Sequence, residues 1–237
     1  MKSVILAVAF LTRLPLPQVN ADPADYARAI RWFPLAGLAV GLAIAAAAWF
    51  GQRHDPWGGA LCALLVWAAI TGALHLDGLG DIADAAGAAH GNRARLSAVL
   101  ADPHIGSFGV VAIVLQLATK LVLLALAIEQ GPAWPLILIA ALARIGPLVW
   151  SLVLPPLHEG MGTSVRAGAN WQAAALWLLV LGAAGLYAAP PLLAGLLAIP
   201  AWALWLRRRI GGISGDGHGA GIELSESALL AAWVFLG

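Results

Sequence analysis

The sequence predicts an all-α fold: a polytopic integral membrane helical bundle, formed by a single membrane-embedded domain over residues 1–237. Composition carries this prediction, because 61% of the residues are hydrophobic and only 11% are charged, against roughly 25% charged residues in soluble domains. Apolar runs long enough to cross a hydrocarbon core of roughly 30 Å recur along the chain. In the first run, Gly37 and Gly41 have the GxxxG spacing that permits close contact with another helix.

We expect about six full spans, flanked by two shorter helices. The first 31 residues carry Lys2, Arg13, Arg28 and Arg31 around polar turns and lack a small-residue cleavage site, so we interpret them as a surface segment with a retained interfacial helix. At the other end, Ser225 is the predicted N-cap of a short helix that is re-entrant or packed within protein. The predicted spans are Trp32–Phe50, Trp57–Leu76, Gly106–Ile128, Pro132–Leu154, Trp171–Ala188 and residues 190–206.

An acidic connection between the second and third spans carries Asp77, Asp81, Asp84 and Asp102. If its first part is helical, offsets of four and seven residues at about 100° each place the first three carboxylates within roughly 60° on one face. Such carboxylates repel one another, and hard oxygen ligands in this arrangement suit Mg²⁺ or Mn²⁺ carrying a substrate phosphate. A solvated acidic turn is the alternative, and two glycines in the stretch count against a simple helix.

Two cations, Lys120 and Arg144, lie within the third and fourth predicted spans. A cation at membrane depth costs roughly 2.5–3.5 kcal/mol on insertion scales, so it usually faces a bundle interior, a wet cavity or a partner charge. For Lys120, snorkelling of the side chain to the interface is the alternative.

A glycine-rich segment near the C-terminus has six glycines between Gly211 and Gly221, interrupted by Asp216 and His218. We interpret it as a loop whose backbone N–H groups can face an anion, with Asp216 as a further metal ligand. A flexible connector would also need glycine, and this interpretation stays open.

The distribution of charge predicts one orientation. With the N-terminus in the cytoplasm, ten of the 13 Lys and Arg residues fall inside and only Arg53 falls outside, as the positive-inside rule requires. Ten of the 12 acids and five of the six His fall on the same face. A transporter should place ionisable groups near the midplane, so the pattern favours a cytoplasm-facing enzyme. The net charge of +1 predicts no nucleic-acid partner.

Several motifs together resemble the cobalamin synthase family, also called adenosylcobinamide-GDP ribazoletransferases. The chain departs from the family pattern at Gly80, Ile82, Pro103, His104 and Ser214, but none of these changes removes a carboxylate. The resemblance covers nearly the whole chain and rests, in order, on TRLPLP, RWFPLAGLAVG, HLDGLGDIADA, DPHIGSFGV, HEGMG and GGISGDGHGAGIELSE.

This resemblance implies a bacterial inner-membrane enzyme that joins adenosylcobinamide-GDP to α-ribazole or its 5′-phosphate. The products are GMP and adenosylcobalamin or its 5′-phosphate, and Mg²⁺ is required. Phosphoryl transfer of this kind depends on positioning and charge neutralisation.

The resemblance also suggests residue roles. Asp77, Asp81 and Asp84 are expected to hold Mg²⁺ and diphosphate, and Asp102 and Asp216 to serve as further ligands or a base, with His75 as another candidate base. For His75 the alternative is an interfacial residue that only forms hydrogen bonds. The expected substrate-binding residues are Arg93, Arg95, Arg166, Lys120, Gly212 and Gly215. For the three arginines the alternative is anchoring at the membrane surface.

Two alternatives belong to other classes. A phosphotransferase of the CDP-alcohol type also uses clustered aspartates, but its ordered DG…AR…G…D…D arrangement is absent here. A metal or ion transporter would use the aspartates as its binding site and release no GMP. The sequence leaves the oligomeric state open, and a homo-oligomer is compatible with it.

Overall fold

A computed structural model describes residues 1–88, 93–157 and 166–237, apart from the side chains of residues 93–95 and 97. The described residues form helices and no β-strand, which confirms the predicted all-α membrane bundle. In the first half, a single 3₁₀ turn, Ile30–Trp32, joins α2 to α3. The helices there are α1 (Lys2–Leu11), α2 (Pro23–Ala29), α3 (Phe33–Gly51), α4 (Pro56–Thr71), α5 (Leu74–Ala88) and α6 (Arg93–Leu100).

The second half contains the longest helices. Five helical stretches of the described chain are long and apolar enough to cross a membrane, and a sixth is added if the bent pair α4 and α5 counts as one span. The helices there are α7 (Ser107–Gln130), α8 (Pro135–Ala143), α9 (Gly146–Val153), α10 (Trp171–Ala188), α11 (Leu192–Gly195), α12 (Ala198–Arg209) and α13 (Gly215–Leu236).

Close packing of α3 against α8 uses the predicted GxxxG pair. A Cβ added to Gly37 would lie 2.6 Å from the carbonyl oxygen of Ala140, and one added to Gly41 would lie 2.6 Å from the Cα of Ile137. Only glycine permits this approach of two backbones. By contrast, only 17% of the residues of α10 are buried, as expected for a helix that faces lipid.

The second predicted span, Trp57–Leu76, is wrong in its last turn. α4 ends at Thr71, and α5 leaves at an angle of 83°. Gly72 and Ala73 cause the break because both have left-handed backbone angles, with φ of 60° and 55°. The backbone N–H of Arg13 donates to the carbonyl of Ile70, at 2.7 Å, and fastens the N-terminal segment to this bend.

The C-terminal helix is longer than predicted. Ser214, rather than Ser225, is its N-cap, and its hydroxyl accepts a hydrogen bond from the N–H of Gly217. The resulting 22-residue helix α13 is long enough to span a membrane, and 61% of the residues in its apolar 18-residue stretch are buried. The predicted sixth span is instead two short helices, α11 and α12. A Cβ on Gly195, at the end of α11, would lie 2.6 Å from the Cα of Leu229, so α11 packs tightly against α13.

Candidate functional site at the crossing of two glycine-rich helices

The acidic stretch is helical, since Asp77, Asp81 and Asp84 all lie on α5. Their exposure falls along the helix: Asp77 is exposed, Asp81 is half-buried and Asp84 is buried. The helix forms despite Gly78 and Gly80 because both glycines are buried in helix contacts. Tertiary packing therefore overrides their low helix propensity.

From Gly215 onward the predicted glycine-rich loop is wrong, because these residues form the first turns of α13, whereas Gly211 and Gly212 precede the helix. One of its glycines, Gly219, lies at the crossing of α13 over α5, where an added Cβ would lie 3.2 Å from the Cα of His75. Asp216 lies one turn before Gly219 on α13. A Cβ on Gly78 of α5 would lie 2.8 Å from the Cα and carbonyl oxygen of Asp216. Small residues on both helices thus bring Asp216 beside the α5 carboxylates, although the two motifs are far apart in sequence.

Asp81 is half-buried and lies among like charges. Its carboxylate is repelled first by Asp216, then by Asp77 and Asp84. Within the described chain, no three His, Cys, Asp or Glu side chains are grouped closely enough to hold a metal ion by themselves. Mg²⁺ is usually held by one or two carboxylates together with substrate phosphates and water. This donor set therefore suits an ion that binds together with a phosphorylated substrate.

Asp84 has a second partner that the sequence does not reveal. Its two carboxylate oxygens accept the backbone N–H groups of Gly106 and Gly109, at 2.7 and 2.9 Å. The carboxylate therefore caps the N-terminus of α7, where the helix dipole favours negative charge. Its predicted role as a metal ligand stays a prediction.

Asp102 lies in the exposed connection between α6 and α7. It accepts hydrogen bonds from the backbone N–H of His104 at 3.0 Å and pairs with the Nδ1 atom of the same residue at 2.7 Å. The bond to the His104 side chain holds the pKa of this carboxyl below its usual value. Asp102 therefore stays ionised at neutral pH, and its role as a further ligand or base stays a prediction.

A cavity of about 270 Å³ opens beside the crossing. Asp77, Asp216, His75 and His218 line one part of it. Apolar side chains from the N-terminal segment and from α3, α5, α9 and α13 line the rest. His75 is only 2% exposed, and neither ring nitrogen has a hydrogen-bond partner among the residues that the structure describes. The cavity joins a polar edge, formed by carboxylates, to an apolar interior.

A buried network of four charges lies deeper in the bundle. Lys120 contacts Glu223 at 2.7 Å and Glu226 at 2.5 Å, while Arg144 contacts Glu226 at 2.7 Å. Trp67 adds a cation–π contact, with its ring 4.1 Å from the Lys120 ammonium. Lys120 is therefore paired within the bundle rather than snorkelling, and its substrate-binding role stays a prediction.

Glu223 and Glu226 are partners that the sequence analysis does not identify. The charge distribution predicts both on the cytoplasmic face, which is wrong because they lie inside the bundle at 3% and 0% exposure. Two cations inside the membrane usually need anionic partners nearby. The positions of Lys120 and Arg144 in predicted spans therefore indicate that acidic residues lie within the bundle. Ionisable groups therefore do lie inside the bundle, so the charge distribution alone does not distinguish an enzyme from a transporter.

Comparison with known proteins decides the family. The model of the cobalamin-5-phosphate synthase family matches residues 3–234. The chain belongs to this family. It is 52% identical to the adenosylcobinamide-GDP ribazoletransferase of Novosphingobium aromaticivorans, covering 100% of this chain and 98% of that protein. It is 49% identical to that of Thiobacillus denitrificans and 51% identical to that of Laribacter hongkongensis, over 97% of this chain and 94% and 95% of those proteins. No solved structure matches the chain.

The remaining residues expected from the cobalamin-5-phosphate synthase family differ in how the structure places them. Arg166 lies near the cavity: its Nε donates to the Ser151 carbonyl at 2.9 Å, and the Ser151 hydroxyl is 3.4 Å from His218. Gly215 lines the cavity. Gly212 does not, because it packs against Pro155, where an added Cβ would lie 2.5 Å from the carbonyl oxygen. The HEGMG motif and the side chains of Arg93 and Arg95 lie outside the described residues.

Proposed function

We propose that this protein transfers the adenosylcobinamide phosphoryl group from adenosylcobinamide-GDP to a ribose hydroxyl of α-ribazole or α-ribazole 5′-phosphate. The hydroxyl oxygen forms a bond to the phosphorus attached to cobinamide, and the bond from that phosphorus to GMP breaks. GMP leaves with the bridging oxygen, and the hydroxyl proton passes to a base. The names of the relatives and the family support this transferase reaction.

The observation that carries the proposal is the meeting of two distant acidic motifs at one cavity. Asp77 from α5 and Asp216 from α13 both line it, with Asp81 repelled by both carboxylates. Mg²⁺, when bound with the donor, would neutralise charge on the diphosphate during transfer. We assign Asp77, Asp81 and Asp216 to this role because carboxylate oxygens are the hard donors that Mg²⁺ prefers, whereas the Asp84 carboxylate caps α7.

Cationic support for the phosphates is proposed to come from Arg166, together with Arg93 and Arg95. A guanidinium binds phosphate oxygens through paired N–H groups. Arg166 is the candidate that the structure describes: its Nε donates to the Ser151 carbonyl, and the Ser151 hydroxyl is 3.4 Å from His218, which lines the cavity.

The charge distribution supports a bacterial inner-membrane location with the site facing the cytoplasm. The three consecutive cations Arg207–Arg209 end α12 and are exposed. They adjoin the start of α13, where Asp216 lies. Positive charge beside a span marks the cytoplasmic end, which is also where nucleotide-linked substrates are supplied.

Purified protein in lipid should be incubated with adenosylcobinamide-GDP, α-ribazole phosphate and Mg²⁺, followed by mass spectrometry. We expect equal amounts of GMP and adenosylcobalamin phosphate. Omission of Mg²⁺ and, separately, Asp81→Asn should each abolish both products. Formation of neither product by folded wild-type protein would reject the proposed reaction, whereas turnover that persists after complete chelation would reject only its metal dependence.

A further inference from the structure

The cavity beside the α5–α13 crossing has two chemically different parts. Phe10 on α1 and Phe33 on α3 form part of its apolar interior, with ring centroids 6.4 Å apart. Asp77 and Asp216 form its polar edge. A ligand that fits both parts has an apolar, ring-shaped end joined directly to a polar end.

His75 supplies the second observation. The imidazole is buried, and no side chain or backbone group in the described chain bonds either of its nitrogens. Buried polar groups in folded proteins nearly always have a partner, and an unsatisfied one costs about 1–3 kcal/mol. A neutral imidazole offers one donor and one acceptor. The cavity that His75 lines is therefore equipped for a ligand with hydroxyl groups.

We propose that this cavity binds the acceptor nucleoside: its two-ring dimethylbenzimidazole base lies against Phe10 and Phe33, and His75 hydrogen-bonds its sugar. This assignment rests on the proposed function and adds the location and the recognition of one substrate. Size separates the two substrates, because about 270 Å³ is near the lower end for a small-molecule site. A corrinoid nucleotide is several times larger and has to bind outside it.

The position of the carboxylates agrees with this assignment. With the base in the apolar interior, the sugar lies at the edge formed by Asp77 and Asp216. The donor diphosphate is proposed to bind at the same edge, so the ribose hydroxyl is next to the phosphorus that it attacks. Holding the two reactants in this way supplies much of the rate enhancement in such transfers.

The apolar wall also sets specificity. A purine nucleoside such as adenosine has ring nitrogens and an amino group that would lose water against Phe10 and Phe33 without gaining partners. Burying such polar groups against an apolar wall without hydrogen-bond partners costs about 1–3 kcal/mol. The cavity should therefore bind α-ribazole in preference to adenosine.

The test measures equilibrium binding of α-ribazole to protein in lipid nanodiscs, without donor or Mg²⁺, so it does not depend on turnover. Phe10→Ala should weaken binding about tenfold through lost apolar contact. Ile5→Ala is the matched control, since Ile5 is a half-buried residue of the same helix that does not line this cavity. It should bind α-ribazole as wild type does.

His75→Leu provides a second readout that a purely structural residue would not give. Replacing an unpartnered buried imidazole by an apolar side chain of similar size is neutral or stabilising, so Tm should stay equal or rise. Binding of α-ribazole should nevertheless fall about three- to tenfold. A fall in Tm with unchanged affinity would mean that His75 only fills space.

The outcomes separate this inference from the proposed reaction. Wild-type affinity for α-ribazole in Phe10→Ala, in an enzyme that still releases GMP, overturns the cavity assignment alone. Tight binding of α-ribazole that depends on Phe10 and His75, in a protein that releases no GMP, upholds the site and overturns the reaction. Equal affinity for adenosine and α-ribazole would also reject the assignment.

Discussion

Gly78 and Asp216 lie so close that a Cβ on the glycine would be 2.8 Å from the Asp216 Cα. This contact joins the helix that carries the first acidic motif to the helix that carries the last one. It explains a feature shared by both segments, since each combines aspartate with glycine. The glycines allow α5 and α13 to approach closely, and this brings Asp216 near the carboxylates of α5.

Gly78→Ala should therefore separate the two helices. The added methyl group has backbone atoms in its way, and such overpacking costs about 1–3 kcal/mol. We expect a lower Tm and a large loss of turnover, because Asp216 moves away from Asp81. Gly182→Ala is the control: nothing lies within 4 Å of its added Cβ, and both Tm and turnover should stay at wild-type values. Full activity of Gly78→Ala would show that the crossing is not needed.

Asp81 and Asp84 should respond differently to replacement by asparagine. Asp81→Asn is expected to lower turnover by orders of magnitude and to leave Tm unchanged or higher, because it relieves repulsion within the cluster. A further Asp77→Asn change should cost little more, since residues that act as a unit are non-additive.

Asp84→Asn instead replaces an acceptor of two N–H groups by a side chain with a single acceptor oxygen. Loss of a cap costs about 0.5–2 kcal/mol, so Tm should fall, while the Mg²⁺ concentration needed for half-maximal rate should stay near the wild-type value. The measurements are thermal unfolding in lipid and Mg²⁺ titration of the rate. If Asp84→Asn greatly shifts that Mg²⁺ concentration, Asp84 is a metal ligand after all.

Much of the fold follows from hydrophobicity alone, as α3, α7 and α10 show. Their ends differ from the predicted spans by two residues or fewer. The α4–α5 bend could not be predicted, because it depends on left-handed angles at Gly72 and at Ala73. Alanine has a strong preference for helix, so nothing in its identity indicates this conformation.

The candidate site follows from the sequence only in part. Its carboxylates are apparent from their spacing, but the approach of Asp216 to α5 depends on reading glycine as a packing residue rather than as a loop residue. Glycine has both uses, and the surrounding sequence does not separate them. The roles of His75 and Asp84 depend on which partners they have, or lack, after folding.

The buried charges should behave as one neutral network. Arg144→Leu leaves the Lys120–Glu223–Glu226 group with a net negative charge inside the bundle, and an uncompensated buried charge costs about 3–5 kcal/mol. Glu226→Gln leaves the two cations with one anion and should cost a similar amount. The double variant restores neutrality, so we expect it to be less destabilised than the sum of the two singles in thermal unfolding. Strict additivity would mean that Arg144 and Glu226 do not interact.

The orientation in the membrane can be tested by labelling single cysteines in a Cys62→Ala background. His54 and Arg208 are both exposed, but the charge distribution places them on opposite sides of the membrane. A membrane-impermeant reagent added outside intact cells should label His54→Cys and spare Arg208→Cys. After the cells are opened, both should react. Labelling of Arg208→Cys from outside would contradict a cytoplasmic site.

Gly215→Val tests whether the start of α13 receives the donor. Gly215 is exposed at the cavity, and nothing lies within 4 Å of an added Cβ. Its backbone is not in the left-handed region, so valine should leave Tm unchanged and act only on a ligand. In the proposed arrangement the larger substrate approaches this exposed edge, whereas the acceptor base lies against Phe10. We therefore expect a raised KM for adenosylcobinamide-GDP and an unchanged KM for α-ribazole phosphate.

Gly182→Val, at an equally open position on α10, should change neither KM. A stable Gly215→Val enzyme with wild-type donor kinetics would exclude this edge from the donor site.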